Sequence, residues 1–181
     1  MSSDVLDKNE KKILELEVRK KIYDIVKKSA GCHFREIERR SGLATGSVQY
    51  HLAYLAKHNL IKEEKENNNV RYFPRDINAK NKKLLSILRQ KSMRHIILFI
   101  LTNNNCNQEQ IVKEVQLSPS TVSWHIKKLE EEGIIFSKKE GRRTFYETAI
   151  EKEEIMTLLI TYQESFFDTL IDNAIEMWET E

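Results

Sequence analysis

The sequence is poor in residues that turn or crosslink a chain. It has five glycines, two prolines and two cysteines among 181 residues. A many-stranded sandwich or barrel needs a turn signal about every 8–12 residues, so this composition favours helices over such folds. Two cysteines exclude a disulfide framework, and the charged opening after Met1 predicts no secretory signal. We therefore expect a protein of the reducing cytoplasm.

Long apolar runs and catalytic motifs are also missing. The longest apolar block covers only residues 96–101, far short of the roughly 18–20 residues that a membrane span requires. The sequence has no phosphate-binding glycine loop, no Gly-x-Ser-x-Gly and no His-Glu-x-x-His. No cysteine or histidine pair has the spacing of zinc ligands. These gaps predict a protein that is not an enzyme, has no cofactor or metal, and does not enter a membrane.

Charge is distributed unevenly along the chain. Residues 150–181 carry nine acids and one base, whereas the preceding 149 residues carry 29 bases and 19 acids. A basic body of net +10 beside an acidic segment of net −8 suggests a polyanionic partner, of which nucleic acid is the commonest. The alternative is a basic surface that binds nothing.

The sequence contains an internal repeat, which is the strongest indication of its architecture. Apolar positions and one histidine match at a constant offset of 74 residues: Ile37 with Ile111, Leu43 with Leu117, Val48 with Val122, His51 with His125, and Leu55 with Leu129. In the next segment we expect an offset of 73, with residues 71–73 over 144–146. A hairpin tip of variable length would explain that slip.

The second copy shows the composition of the unit. Residues 93–102 and 108–115 have helical spacing, and Ser118-Pro119 supplies a cap and a first helical residue for a third helix. That helix buries Val122, Ile126 and Leu129 and stops near Gly133. Two short β-like runs, 134–137 and 144–147, flank a tip at 138–143. We predict a mainly α fold with small β-hairpin wings, that is, two winged helix-turn-helix modules.

Two segments carry a resemblance to a known family. Residues 31–52, with Ser41-Gly42-Leu43-Ala44-Thr45-Gly46-Ser47-Val48, resemble the first module of archaeal tandem winged-helix transcriptional regulators. Residues 118–133 resemble the ArsR/MarR-type recognition helix of the second module. The likeness covers about residues 18–147. Gln116 departs from it, because Gly42 occupies that position in the first copy. A strained or differently shaped exit from the second helix is expected at Gln116.

The resemblance implies that the third helix of each module, 45–58 and 119–132, enters the major groove of DNA. Glutamine and serine can pair with base edges, and tyrosine or tryptophan can press against sugars or thymine methyls. The alternative for Tyr50 and Trp124 is packing against a wing or linker. The predicted contacts on these helices are Ser47, Gln49, Tyr50, Tyr54, Ser118, Ser120, Thr121, Ser123, Trp124, Lys127 and Lys128.

Basic residues outside the third helices are candidates for phosphate contacts. The second wing has four bases in six residues, and the first module has arginines on its second helix and its wing. A merely solvated hairpin is the alternative for the second wing. The predicted contacts are Lys138, Lys139, Arg142 and Arg143 in the second module, and Arg35, Arg39, Arg40 and Arg71 in the first.

The paired histidines and cysteines favour structural roles. His51 and His125 lie beside core positions, so we expect half-buried rings that are hydrogen-bonded within each module; proton sensing is the alternative. Cys32 and Cys106 match at the same offset, in the turn before the second helix. Packing is the favoured role for both, and a metal-sensing ArsR-type site is not supported.

Segments outside the modules complete the predicted organisation. Residues 1–76 form the first module, 77–91 a linker helix, 92–149 the second module and 150–181 an acidic amphipathic helix. We also expect a long helix over 9–29. The apolar face of 150–178 is wider than one neighbouring helix would cover, so a second chain, the linker helix or another protein is expected to cover it. A homodimer through this helix is the main hypothesis.

These observations predict a sequence-specific regulator that binds double-stranded promoter or operator DNA. Contact with the transcription machinery is a further expectation. The competing class is a tandem winged-helix module that docks proteins in a larger assembly. Basic wings and a serine-rich third helix favour DNA, because a docking module more often exposes apolar patches.

Overall fold

The computed structural model describes residues 7–66, 69–103 and 105–166, which fall into two compact units, Met1–Lys82 and Lys83–Glu181. The first unit has α1 (Lys8–Ile13), α2 (Glu17–Lys28), β1 (Cys32–His33), α3 (Phe34–Ser41), α4 (Thr45–Lys57), β2 (Ile61–Glu66) and β3 (Asn69–Pro74). The helix α5 (Ala79–Leu88) contains the boundary between the units.

The second unit repeats this order and adds a helix. It has α6 (Lys91–Thr102), β4 (Cys106–Asn107), α7 (Gln108–Val115), α8 (Pro119–Glu131), β5 (Ile135–Glu140), β6 (Arg143–Thr148) and α9 (Lys152–Thr161). A short 3-10 turn, Gln163–Ser165, follows. Three helices and a hairpin wing in each unit confirm the predicted α+β tandem winged-helix fold.

Each wing belongs to a three-stranded antiparallel sheet. The strand order is β1-β3-β2 in the first unit and β4-β6-β5 in the second. Cys32 pairs with Tyr72, and Cys106 pairs with Tyr146. The prediction put both cysteines in a turn, whereas they lie on the short edge strands β1 and β4.

The repeat is more regular than the sequence predicted. Cys32 and Tyr72 correspond to Cys106 and Tyr146, and the register Ile61 with Pro74 corresponds to Ile135 with Thr148. The offset is therefore 74 in the wings as well, and the expected slip to 73 is wrong. The prediction aligned the wings by matching aromatic residues with each other. In the structure, Arg71 corresponds to Phe145 and Val70 to Thr144, so that criterion gave the wrong offset.

Helix periodicity explains the core of each unit. In the first, the buried faces of α2, α3 and α4 meet through Ile22, Val26, Ile37, Val48 and Leu52, each at most 1% exposed. In the second, the corresponding helices bury Ile96, Ile111, Val122, Ile126 and Leu129. Burial at spacings of three and four leaves one face of α4 and of α8 directed away from the core.

Four residues that follow helices have the left-handed backbone conformation. Gly42 follows α3 with φ 66°, and Gln116 follows α7 with φ 54°. The backbone therefore leaves α3 and α7 in the same conformation. Of the differences expected at Gln116, backbone strain remains and a different shape does not. Asn59 and Gly133 form a similar pair after α4 and α8, with φ values of 56° and 70°. Glycine adopts this conformation at little cost, whereas a residue with a Cβ does not.

The helices at the two ends differ from the predictions. A break at Leu14–Leu16 separates α1 from α2, so 9–29 is not one helix; the Leu14 N–H bonds the Glu10 and Lys11 carbonyls there. The helix predicted over 150–178 ends at Thr161. Its Ile155 and Leu159 are fully buried within the second unit. Residues 167–181 of that prediction lie outside the described residues.

Candidate nucleic-acid interface

The outward face of α4 exposes a polar and an aromatic side chain side by side. Gln49 is exposed, and the ring of Tyr50 is 60% exposed and lies edge-on to His51, with ring centroids 5.0 Å apart. Ser47 is half-buried beside them. This side of α4 therefore has an amide and a phenol accessible to a ligand.

Tyr54 lies on the same helix but is packed within the module. The Arg19 guanidinium of α2 lies 3.8 Å above the centre of its ring, and its Nη1 donates to the Ile13 carbonyl at 2.9 Å. This cation–π contact leaves Tyr54 half-buried. Sequence reasoning missed Arg19, because nothing in the local pattern of α2 shows that it reaches α4.

The four arginines predicted for the first module divide into two pairs. Arg35 and Arg39 are exposed on α3. Arg40 instead donates to the Ser29 hydroxyl and pairs with Glu36 at 3.3 Å, and its side chain is 15% exposed. Arg71 donates from Nη1 to the Gly31 carbonyl at 3.0 Å. Arg40 and Arg71 thus have structural partners inside the module. Of the four predicted arginines, Arg35 and Arg39 are the two whose side chains are exposed.

Hydroxyl groups cluster where α8 begins. The Ser118 side chain caps the helix by accepting from the Thr121 N–H at 3.2 Å, and its Oγ lies 3.0 Å from Ser120 Oγ and 2.8 Å from Thr121 Oγ1. All three residues are exposed. Because the N-terminus of a helix carries partial positive charge, this group is suited to accept a phosphate or a base edge.

The middle of α8 exposes an aromatic ring among cations. Trp124 is 57% exposed, and the Lys128 ammonium lies 5.5 Å from the centre of its ring. Ser123 is exposed beside it. Lys127 lies 3.9 Å from Glu131 in an open ion pair, which holds it only weakly.

The wing of the second module is an exposed basic hairpin. Lys138 and Lys139 lie on β5, Arg143 lies on β6, and Arg142 is at the tip; all four are exposed. Lys138 approaches Glu140 at 3.4 Å. Phe136, 43% exposed on β5, is a further surface residue that the sequence reasoning missed. The strands extend further than predicted, so three of the four bases have a fixed place on the hairpin.

The paired histidines are buried as predicted but lack the expected hydrogen bond. His51 is 7% exposed and His125 is half-buried. Within the described part of the chain, neither Nδ1 atom has a hydrogen-bond partner. Burial lowers the pKa of both rings, and a nearby cation lowers each pKa further: Arg19 for His51 and Lys128 for His125.

The cysteines lie in the cores of their units. Cys32 and Cys106 are both buried thiols, and burial raises the pKa of Cys106 to about 11. In the described ranges, no group of three His, Cys, Asp or Glu side chains is arranged to hold a metal ion. Nor is any described helix long and apolar enough to cross a membrane.

Two family models match successive parts of the chain. An N-terminal HTH domain matches residues 16–85, and a winged helix-turn-helix DNA-binding domain matches residues 77–135. An uncharacterized HTH-type transcriptional regulator of Methanocaldococcus jannaschii is 33% identical over 138 residues, which is 76% of this chain and 35% of the relative. The chain therefore spans about a third of that relative's length.

Solved structures show weaker likenesses. Reduced HlyU of Vibrio cholerae is 22% identical with a TM-score of 0.40, over 48% of this chain and 88% of that one. Lactococcus lactis ZitR in complex with DNA is 13% identical with a TM-score of 0.34, over 76% and 82%.

Two winged modules in one chain, each with an outward third helix, define a class of protein. The chain contains two successive helix-turn-helix modules, and it is similar in sequence to an archaeal HTH-type transcriptional regulator. Each family model covers one of the two modules.

Proposed function

We propose that this protein is a transcriptional regulator that binds duplex DNA through both modules. The observation that carries the proposal is the outward surface of the second module, where exposed hydroxyls, Trp124 and four wing bases occur together. In a winged helix the third helix lies in the major groove and the wing lies on the backbone. This surface supplies base-edge donors and phosphate-neutralising charges for that arrangement.

The two modules offer different chemistry to DNA. The second supplies cations for phosphates, which position a protein without reading sequence. The first exposes Gln49, whose amide can pair bidentately with adenine, beside Tyr50. We propose that the second module provides most of the sequence-independent affinity and that the first contributes selectivity.

The proposal extends to assembly and location. A homodimer would place two copies on a roughly palindromic site, with half-sites about 34–36 Å apart or a multiple of that distance. We propose that residues 167–181 form the dimer contact, because Ile155 and Leu159 of α9 are already fully buried within the single chain. We also propose that the protein acts in the cytoplasm and that this acidic segment contacts the transcription machinery there.

Selection of bound fragments from a random duplex pool tests the function. We expect the full chain to enrich a defined sequence, and Gln49→Ala to relax the preference at one base pair, since a bidentate pair contributes about 1–3 kcal/mol of discrimination. Affinity for unrelated duplexes should change little. Ala53→Gly, at an exposed position on the same helix, is the control.

The outcomes of this selection are distinct. No enrichment and no binding to any duplex would contradict DNA recognition and favour the docking of proteins. Enrichment with identical preferences for wild type and Gln49→Ala would remove Gln49 from base recognition while leaving the regulator function intact.

A further inference from the structure

The first module contains a cavity of about 820 Å³ where its wing meets the two helices of its helix-turn-helix, α3 and α4. Its walls come from α3, from Gln49 of α4, and from the neighbouring strands β1 and β3. The cavity is open to solvent, and its volume is in the range typical of small-molecule sites, roughly 300–1,000 Å³.

One wall of this cavity is cationic and has no internal counter-charge. Arg35 and Arg39 lie four residues apart, so both guanidiniums occupy one face of α3. Neither makes a hydrogen bond or ion pair with any residue that the structure describes. Glu36, the acid in the lining, is already paired with Arg40 at 3.3 Å. Two like charges at this spacing repel each other, and an oxyanion between them would relieve that repulsion.

Other residues of the lining are apolar or aromatic. Phe34 is half-buried, Tyr72 is 8% exposed, and Val70 lies beside them on β3. The ring of His33 is held by its Nδ1, which lies 3.2 Å from the Val70 carbonyl. A ligand in this cavity would therefore meet both aromatic side chains and two fork-shaped guanidinium donors.

The repeat shows that the fold itself does not require this combination. At the 74-residue offset, Phe34 corresponds to Gln108, Arg35 to Glu109 and Arg39 to Lys113. The second module thus has the same α7 geometry with a neutral charge balance and no aromatic residue at that position. At these three positions, the two arginines and the phenylalanine are therefore specific to the first module, whereas Tyr72 has its counterpart in Tyr146.

We propose that this cavity binds a small organic anion, with its phosphate or carboxylate on Arg35 and Arg39 and its apolar body against Phe34 and Tyr72. Because Gln49 is part of the same lining, an occupied cavity would cover the side chain assigned to base recognition. The ligand would then act as an effector that competes with DNA, a consequence that rests on the proposed function. Binding of the anion itself does not.

Phenyl phosphate is a suitable probe, because it combines one oxyanion with one flat apolar ring. We expect a titration of the full-length ¹⁵N-labelled chain to shift the amide signals of Phe34, Gln49 and Tyr72 in a saturable manner. Inorganic phosphate has the oxyanion but no ring, and benzyl alcohol has the ring but no oxyanion. Each should bind at least about tenfold more weakly than phenyl phosphate.

The repeat provides variants that the fold already tolerates. Phe34→Gln with Arg35→Glu gives the first module the residues of the second, and it should abolish the saturable shifts while the remaining spectrum stays dispersed. Lys113→Ala, at the position equivalent to Arg39, is the matched control and should bind phenyl phosphate as wild type does.

Three results would overturn this inference. They are the absence of saturable shifts, retained binding in the double variant, and inorganic phosphate binding as tightly as phenyl phosphate, which would indicate a simple phosphate contact. If the chain selects a DNA sequence but binds no phenyl phosphate, the cavity proposal fails alone. If phenyl phosphate binds but no duplex does, the regulator function fails and the cavity remains.

Discussion

At the scale of single residues, the repeat acts as an internal control on backbone strain. Gly42 and Gln116 occupy equivalent left-handed positions at the ends of α3 and α7. The exposed Gln116 side chain makes no hydrogen bond that offsets the cost of its conformation within the described residues. A left-handed backbone conformation costs an L-residue roughly 1–2 kcal/mol. Glycine avoids this cost, but it also raises the conformational entropy of the unfolded chain, which offsets part of the gain in stability.

Exchanging these two residues should therefore have opposite effects. We expect Gln116→Gly to raise the free energy of unfolding by about 1 kcal/mol and Gly42→Gln to lower it by about the same amount. Urea unfolding followed by circular dichroism measures both. Gln116→Ala keeps a Cβ at the strained position and should give no stabilisation. A stabilising effect of alanine equal to that of glycine would show that backbone strain is not the cause.

The buried histidines predict a pH dependence of stability. Their folded pKa is below the usual value of about 6.5, so the unfolded chain binds more protons as the pH falls past that value. Stability from these rings is complete above about pH 6.5 and declines below it. His51→Gln with His125→Gln should flatten the decline below about pH 6.5. The exposed His58→Gln is the control, and an unchanged slope in the double variant would contradict this assignment.

At the scale of elements, the wings show how one hairpin geometry serves two surfaces. β5 and β6 match β2 and β3 in length and register. The second hairpin displays Lys138, Lys139, Arg142 and Arg143, whereas β2 of the first hairpin carries three acids and two bases. Hairpin shape is therefore common to both modules, and the charge on it differs.

Removing wing charge should change how salt affects DNA binding. Arg142→Ala with Arg143→Ala is expected to weaken binding to all duplexes and to flatten the plot of log K against log salt by roughly one to two units. Lys11→Ala with Lys12→Ala removes the same charge from α1 and should leave the slope nearly unchanged. Fluorescence anisotropy over a range of salt measures the slopes. If the wing variant keeps both slope and affinity, the wing does not touch phosphates.

At the scale of the whole molecule, the C-terminal segment has two parts with different roles. The apolar side chains buried on α9 are Ile155, Met156, Leu158 and Leu159. The guanidinium carbon of the buried Arg94 lies 5.5 Å from the centre of the Phe166 ring. The part of this apolar face that lies on α9 is therefore buried within the single chain, apart from Ile160, which is 43% exposed. We propose that the apolar residues after 166 make the dimer contact.

A chain that ends after Phe166 tests this assignment while keeping every buried residue that the structure describes. We expect the full chain to sediment as a dimer and the shortened chain as a monomer. At a protein concentration low enough for both chains to be monomers, they should have the same thermal unfolding midpoint. A chain that ends after Ala149 should instead lose stability, because it removes α9 from the core. One shared oligomeric state for the first two chains would exclude residues 167–181 from assembly.

Local periodicity made much of this protein predictable from sequence. The spacing of Val48, Leu52 and Leu55, and of their counterparts in α8, fixed which residues face inward and hence which can face a ligand. Ser118 and Pro119 fixed where α8 begins. The repeat itself needed no structure. Each of these features depends on residues close together in the chain, where a pattern is visible.

Features formed by distant residues were decided by the tertiary structure. β1 and β4 are two residues long and become strands only because Tyr72 and Tyr146, forty positions away, pair with them. The partners of Arg40 and Arg71, the contact of Arg19 with Tyr54 and the cavity beside Gln49 arise in the same way. Sequence determined the modules and their outward faces; long-range packing decided which charged side chains on those faces remain accessible.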